Sequence, residues 1–162
     1  MPKIAERSMA DKEGTAERVV ATNRKARHNY TVLDTLEAGL VLTGTEVKSI
    51  RQANVNLAEG YAHIKGNEVW LIGVHVSPYK QGTISNVDPL RERKLLLHRK
   101  EIRRLLSQTS EKGVTLIPLK IFFKANKAKL LLGICRGKRE YDRRHDIAKR
   151  EAERSIRRML RR

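Results

Sequence analysis

Two periodicities run along the 162-residue chain, one of strands and one of helices. Tyr30, Val32 and Leu33 mark a strand over 30–36, and a second apolar run, Leu40-Val41-Leu42, continues it beyond Gly39, which reads as a bulge or bend. Residues 61–76 hold two alternating runs split by Gly66-Asn67, which predicts a hairpin. Two further strands are predicted over 114–124 and 128–136, joined by a turn at 125–127, with Pro118 fitting an edge or a bulge. Thr43 stands three residues before Glu46, the capping-box spacing, so a short helix is expected over about 45–52. Leu95, Leu96, Ile102, Leu105 and Leu106 recur at a helical period, predicting one longer helix that ends at Gly113. Residues 77–88 have turn formers and no period, so they form a long loop.

These elements predict a mainly β fold: a six-stranded antiparallel barrel of the oligonucleotide-binding type, with peripheral helices. A small open sheet would expose adhesive edges, and that favours closure. The expected organisation is a disordered leader over 1–18, the barrel domain over 19–136, and a basic tail over 137–162 that is disordered or helical.

The last 27 residues have twelve Lys/Arg against five Asp/Glu, a net +7. Their apolar stripe is narrow: Ala148, Ala152, Ile156 and Met159 with Leu160. A terminal helix docked on its own domain usually shows a wider face. The tail is therefore expected to be mobile when free and to fold as a helix against RNA, phosphates supplying what its few apolar groups do not.

The charge of the whole chain, +17, points the same way, to nucleic acid first and an anionic membrane surface second. There is no run of 18 apolar residues and no secretion-type apolar core at the start, so a cytoplasmic protein is expected. Lone Cys135, in an apolar run, reads as a buried structural thiol. The five His residues are scattered, and the phosphate-binding glycine motifs are missing. No catalytic or metal site, and no cofactor, is predicted. Aromatic residues make up only 4% of the chain, so contacts to RNA backbone and shape should outweigh base stacking. Candidate contacts are Arg24, Lys25, Arg27 and His28 before the first strand, and Lys138, Arg139, Arg143 and Arg144 after the last.

Several stretches together resemble one family, the SsrA-binding proteins, also called small protein B: ATNRKARHNY, LEAGLVLTGTEVKSIR, EVWLIGVHVSPY, RKLLLH and GKREYDRRHDIAKRE. The resemblance runs from about Val19 to the C-terminus. It implies an oligonucleotide-binding barrel and a non-enzymatic activity. Such a protein holds the tRNA-like part of transfer-messenger RNA and, with elongation factor Tu reached through that RNA, brings it to stalled ribosomes. Its tail fills the empty message channel at the small-subunit decoding centre and stands in for the anticodon stem. By position the resemblance assigns RNA contact to Asn23, His28, Glu37 and Leu96. It assigns the decoding motif to Tyr141, Asp142, Arg143 and Arg144, and later tail functions to a region with Lys149, Arg150, Ile156 and Met159. A carboxylate at Glu37 would face a polyanion, which makes sense if it accepts from base or ribose groups and so confers specificity. A monomer with no membrane partner is expected. The competing reading is a ribosomal or ribosomal-RNA assembly protein with the same barrel.

Overall fold

The computed structural model describes residues 16–82, 84, 86–138 and 140–161, with only the backbone at 140–142. Most of the expected leader, 1–15, lies outside the described residues. In chain order the elements are β1 (Arg18–Thr22), α1 (Arg24–Asn29), β2 (Tyr30–Leu40), α2 (Gly44–Arg51), β3 (Val55–Asn56), β4 (Tyr61–Lys65), β5 (Glu68–Ile72), β6 (His75–Val76), β7 (Arg93–Leu96), α3 (Arg99–Thr109), β8 (Val114–Lys124), β9 (Lys127–Gly137) and α4 (Glu140–Leu160).

Seven strands form one antiparallel sheet in the order β1-β8-β4-β5-β7-β2-β9, and β3 pairs with β6 apart from it. The expectation of a six-stranded closed barrel is corrected on two counts. β1 is an additional strand on β8, running from Arg18 opposite Phe123 to Thr22 opposite Lys120. The sheet also curls without being laddered shut. β9 returns to pair with β8 along its length, but β4 and β8 meet through one residue pair, Ala62 with Leu116. A barrel needs a continuous ladder at every strand boundary, and a single pair does not supply one.

The predicted hairpins are present: Lys65 pairs with Glu68 around a Gly66 at φ +60°, and Lys124 pairs with Lys127. Pro118 lies beside a register shift between Pro118 and Lys120, the bulge its missing N–H requires. The single long helix predicted after Pro89 is corrected. Residues Arg93–Leu96 are strand β7, and only Arg99–Thr109 are helix. In β7 the side chains alternate, Leu95 going into the core and Leu96 to the surface.

The core lies inside the curl, built from Val69, Leu71, Leu95, Leu116, Ile121, Leu130, Leu132 and Ile134, with Ile102 and Leu105 entering from α3. A smaller cluster under α1 holds Ala26, Ile117, Leu119 and Cys135. Burial pushes the Cys135 thiol up to about 11, so it stays protonated as an inert packing group.

One buried polar network joins the helical and strand parts. At the N-terminus of α2, Thr43 and Glu46 form the predicted capping box, with the Thr43 N–H donating to Glu46 Oε1 at 3.0 Å. The same carboxylate accepts from Arg93 Nε and from an Arg91 guanidinium nitrogen, both at 2.5 Å. Arg93, 1% exposed, also donates to the carbonyls of Val74 (2.8 Å) and Pro89 (3.0 Å). These bonds clamp both ends of the long loop and fix the start of β7. Burial raises the Glu46 pKa, but hydrogen bonds from Arg91, the Thr43 backbone and Arg93 outweigh it and hold the carboxyl below the ordinary glutamate range.

Glu46→Gln should therefore destabilise the fold by about 3–5 kcal/mol, since Arg93 would keep its buried charge without a counter-charge. A carboxylate with a depressed pKa stabilises the fold above its unfolded pKa, and that contribution is lost as pH falls through its folded pKa. In urea melts the wild type should lose stability below the ordinary glutamate range, whereas Glu46→Gln should show a flatter profile there. Identical slopes would contradict this role for Glu46.

Candidate nucleic-acid interface

The candidate residues fall into two groups at opposite ends of the β2–β9 ladder. At one end stands α1, a helix the sequence reading did not anticipate. Asn23 caps it: its Oδ1 accepts from the Ala26 N–H at 3.0 Å, while its amide donates to the carbonyls of Leu57 (3.1 Å) and Pro118 (2.9 Å). At 3% exposure, with both amide and carbonyl engaged, Asn23 holds α1 on the sheet and does not face solvent. The helix it positions presents Arg24, Lys25 and Arg27 to solvent, with His28 half-buried. Lys25 is already paired with Glu59, but Arg24 and Arg27 have no ion-pair partner among the described residues.

Lys138 belongs to this end. Its N–H donates to the Asn29 carbonyl at 2.9 Å, and its ammonium donates to the Arg27 carbonyl at 3.2 Å and to the Asp146 carboxylate. One lysine thus ties the C-terminal end of α1 to the start of α4. Arg139 lies outside the described residues, as do the side chains of Tyr141 and Asp142.

At the other end of the ladder a groove of ≈ 740 Å³ opens between β2, β7, α3 and the β8–β9 turn. Glu37 and Leu96 both line it, together with His98, Lys127 and Lys129. Gly39 lies opposite Leu96 on β7 and Lys129 on β9. A Cβ at Gly39 would lie 3.2 Å from the Leu96 Cβ, so this glycine permits close approach of β7. Of the bulge or bend expected there, the bulge is corrected: the register shift in β2 comes earlier, between Val32 and Asp34. Leu96 is 55% exposed and shares the groove with the exposed Glu37 carboxylate, so the groove offers an apolar surface together with an acceptor. Lys127 and Lys129 were missed in the sequence although Lys124, Lys127 and Lys129 stand within six residues, because nothing local connects that turn to Glu37. The fold does: Lys129 pairs with Gly39, and the β8–β9 turn brings Lys127 into the groove that Glu37 lines.

The tail is a 21-residue helix, α4, about 31 Å long. Arg143, Arg144, Lys149 and Arg150 are exposed along it, and Ile156 (57%) and Met159 (76%) are exposed near its end. None of the described residues of the domain covers its apolar stripe, in which Leu160 is 81% exposed.

No helix among the described residues is long and apolar enough to cross a membrane, and no cluster of His, Cys, Asp and Glu among them is suited to a metal ion.

The Lys138 tie gives a pH-dependent expectation. The Lys138 hydrogen bond holds the Asp146 carboxyl below the ordinary aspartate range, with Lys138, Arg150 and His145 charges adding to it against a desolvation effect. A depressed pKa means that the tie is present above the ordinary range and is lost as pH falls through the lowered value. Spin labels on α1 and mid-α4 should give a narrow distance distribution that broadens only below the ordinary aspartate range. The distribution should be broad at all pH in Asp146→Asn. Broadening of the wild type at pH 5–6 would contradict the assignment.

Three comparisons bear on this surface. The family model described as SmpB protein matches residues 20–162. The SsrA-binding protein of Levilactobacillus brevis is 57% identical over 146 residues, covering 90% of this chain and 93% of that protein. The one from Acetivibrio thermocellus is 58% identical over 143 residues, covering 88% and 93%. A solved chain from work described as "tmRNA-SmpB: a journey to the center of the bacterial ribosome" matches with a TM-score of 0.64 and 49% identity, covering 74% of this chain and 85% of that one. On the match over 20–162 and these identities, the chain belongs to the SmpB family of SsrA-binding proteins.

Proposed function

We propose that the protein is a non-enzymatic RNA-binding adaptor of trans-translation, which binds the tRNA-like domain of transfer-messenger RNA and delivers it to stalled bacterial ribosomes. The observation that carries this reading is the 49% identical solved relative, described together with tmRNA and the ribosome, whose likeness covers 74% of this chain. The charge pattern supports it: cations cluster at both ends of one rigid ladder and along an exposed helix.

In this reading the groove grips the folded RNA. Leu96 packs on an unstacked base or sugar, Lys127 and Lys129 meet phosphates, and Glu37 accepts from base or ribose donors. A carboxylate repels a bare backbone, so Glu37 admits only RNA that presents a donor there. Arg24, Arg27 and His28 contact the backbone at the far end, and Asn23 serves them by fixing α1. α4 enters the empty message channel, with Tyr141, Asp142, Arg143 and Arg144 at the decoding centre and Lys149, Arg150, Ile156 and Met159 further along. Elongation factor Tu joins through the RNA, the protein acts as a monomer, and the work takes place in the cytoplasm with the ribosome.

Glu37→Ala should weaken binding of the tRNA-like RNA by roughly tenfold or more, since hydrogen bonds to a charged group contribute about 1.5–3 kcal/mol. Binding of unrelated duplex RNA should be unchanged or slightly tighter. Equal loss on both RNAs, measured by filter binding, would refute a specificity role. Truncation after Glu140 should leave the complex with free RNA within about threefold of wild type, because the groove and α1 remain. It should abolish tagging of stalled peptides in a reconstituted translation assay, and tagging at wild-type rate would remove α4 from the mechanism.

A further inference from the structure

The last turns of α4 sort their side chains into two faces. At about 100° per residue, Ala152, Ile156, Met159 and Leu160 fall within about 100° of arc, and Arg154, Arg157 and Arg158 fall within a similar arc on the opposite side. Ile156 is 57% exposed, Met159 76% and Leu160 81%. The three arginines are exposed as well, and none has an ion-pair partner among the described residues. Residues 154–162 hold five Arg and no Asp or Glu. Upstream the separation is lost: Asp146, Glu151 and Glu153 interleave with Lys149 and Arg150, and Ile147 lies about 180° around the axis from Ile156.

Covering an apolar stripe and neutralising an arginine face are separate demands. RNA phosphates satisfy the arginines but leave Ile156, Met159 and Leu160 in water. A second copy covers the stripe but brings together two chains of charge +17 and leaves their arginines unneutralised. An anionic bilayer meets both demands: the apolar side chains sink below the headgroups, and the arginines reach lipid phosphates on their long stems. We infer that the C-terminal turns of α4, residues 152–162, form a reversible binding site for anionic phospholipid surfaces, a departure from the expectation of no membrane partner. The helix lies in the plane of the interface, since it is not long and apolar enough to cross. This goes beyond the proposed function. One helix cannot rest on a bilayer and enter the message channel at once, so the two occupancies exclude each other and the ribosome-free protein is the form that meets lipid.

The test sediments the full-length protein, freed of RNA, with vesicles of phosphatidylcholine containing about one-third phosphatidylglycerol, and with vesicles of phosphatidylcholine alone. Binding should be seen on the anionic vesicles only and should weaken as salt rises. The variant I156Q/M159Q/L160Q keeps every charge and should bind those vesicles roughly tenfold or more weakly, because apolar insertion is lost. A depth measurement makes the result independent of how that variant folds. A polarity-sensitive dye on M159C should shift to the blue and be shielded from an aqueous quencher when anionic vesicles are added, whereas the same dye on R158C should stay accessible; Cys135 is buried and escapes labelling. Absence of binding to anionic vesicles at low salt would overturn the inference. So would full binding by the triple glutamine variant with no blue shift at position 159, which would mean adsorption by arginine alone. An equal blue shift on adding the tRNA-like RNA would assign the stripe to RNA, and a change of oligomeric state in the triple variant without vesicles would assign it to a second copy; either result also overturns it. None of these outcomes touches the proposed function, which fails separately if the wild type does not bind the tRNA-like RNA.

Discussion

The long antiparallel ladder between β2 and β9 is the constraint on which the rest of the structure depends. Pairing runs from Tyr30 opposite Gly137 to Gly39 opposite Lys129, a span of about 30 Å at strand rise. β2 begins where α1 ends and closes at the groove glycine. β9 begins with the groove lysines and ends at Gly137, next to Lys138, which grips α1 and α4. The backbone hydrogen bonds of one ribbon therefore set the separation of two cationic sites, and neither site can move without breaking the ladder. A folded RNA is itself a rigid body, so a fixed distance between contacts discriminates shape where few aromatics are present to read bases.

The buried polar groups serve this frame. Asn23 spends its side chain on Ala26, Leu57 and Pro118, so that the exposed cations of α1 stand on a fixed support. Glu46 and Arg93 play the same part for β7, setting where Leu96 emerges. Both are interactions whose loss leaves an unsatisfied buried group, which is why they determine geometry so firmly. The surface cations are the converse case: each contributes little to stability alone, and their arrangement is free to follow the partner.

Much of this was legible in the sequence, for physical reasons that differ by element. The Gly66 and 125–127 turns and the Thr43–Glu46 box are local signals, read from residues that touch their own neighbours. The Leu95-Leu96 pair was misread as helical because a four-residue strand beside a helix gives a short apolar run with no length to establish its period. α1 was missed because six residues with a single buried position, Ala26, show no amphipathic pattern, and its cap partners lie 34 and 95 residues away. Closure of the barrel was inferred from strand content and from the exposed edges a small open sheet would leave. Whether β4 and β8 zip together depends on long-range register, which no local pattern encodes. The candidate site followed the same division: Arg24, Arg27 and Lys138 were visible as charge clusters, while Lys129 became a site residue through its pairing with Gly39, and Lys127 through the β8–β9 turn that lines the same groove.

The most direct test of the central claim, that one rigid ladder presents both ends to a single folded RNA, is a double photocrosslink. Crosslinkers placed at positions 27 and 96 of one protein should both capture the same tRNA-like RNA molecule, at two nucleotides whose separation in the folded RNA matches about 30 Å. Capture at only one position, or captures that never occur on one RNA molecule, would contradict it.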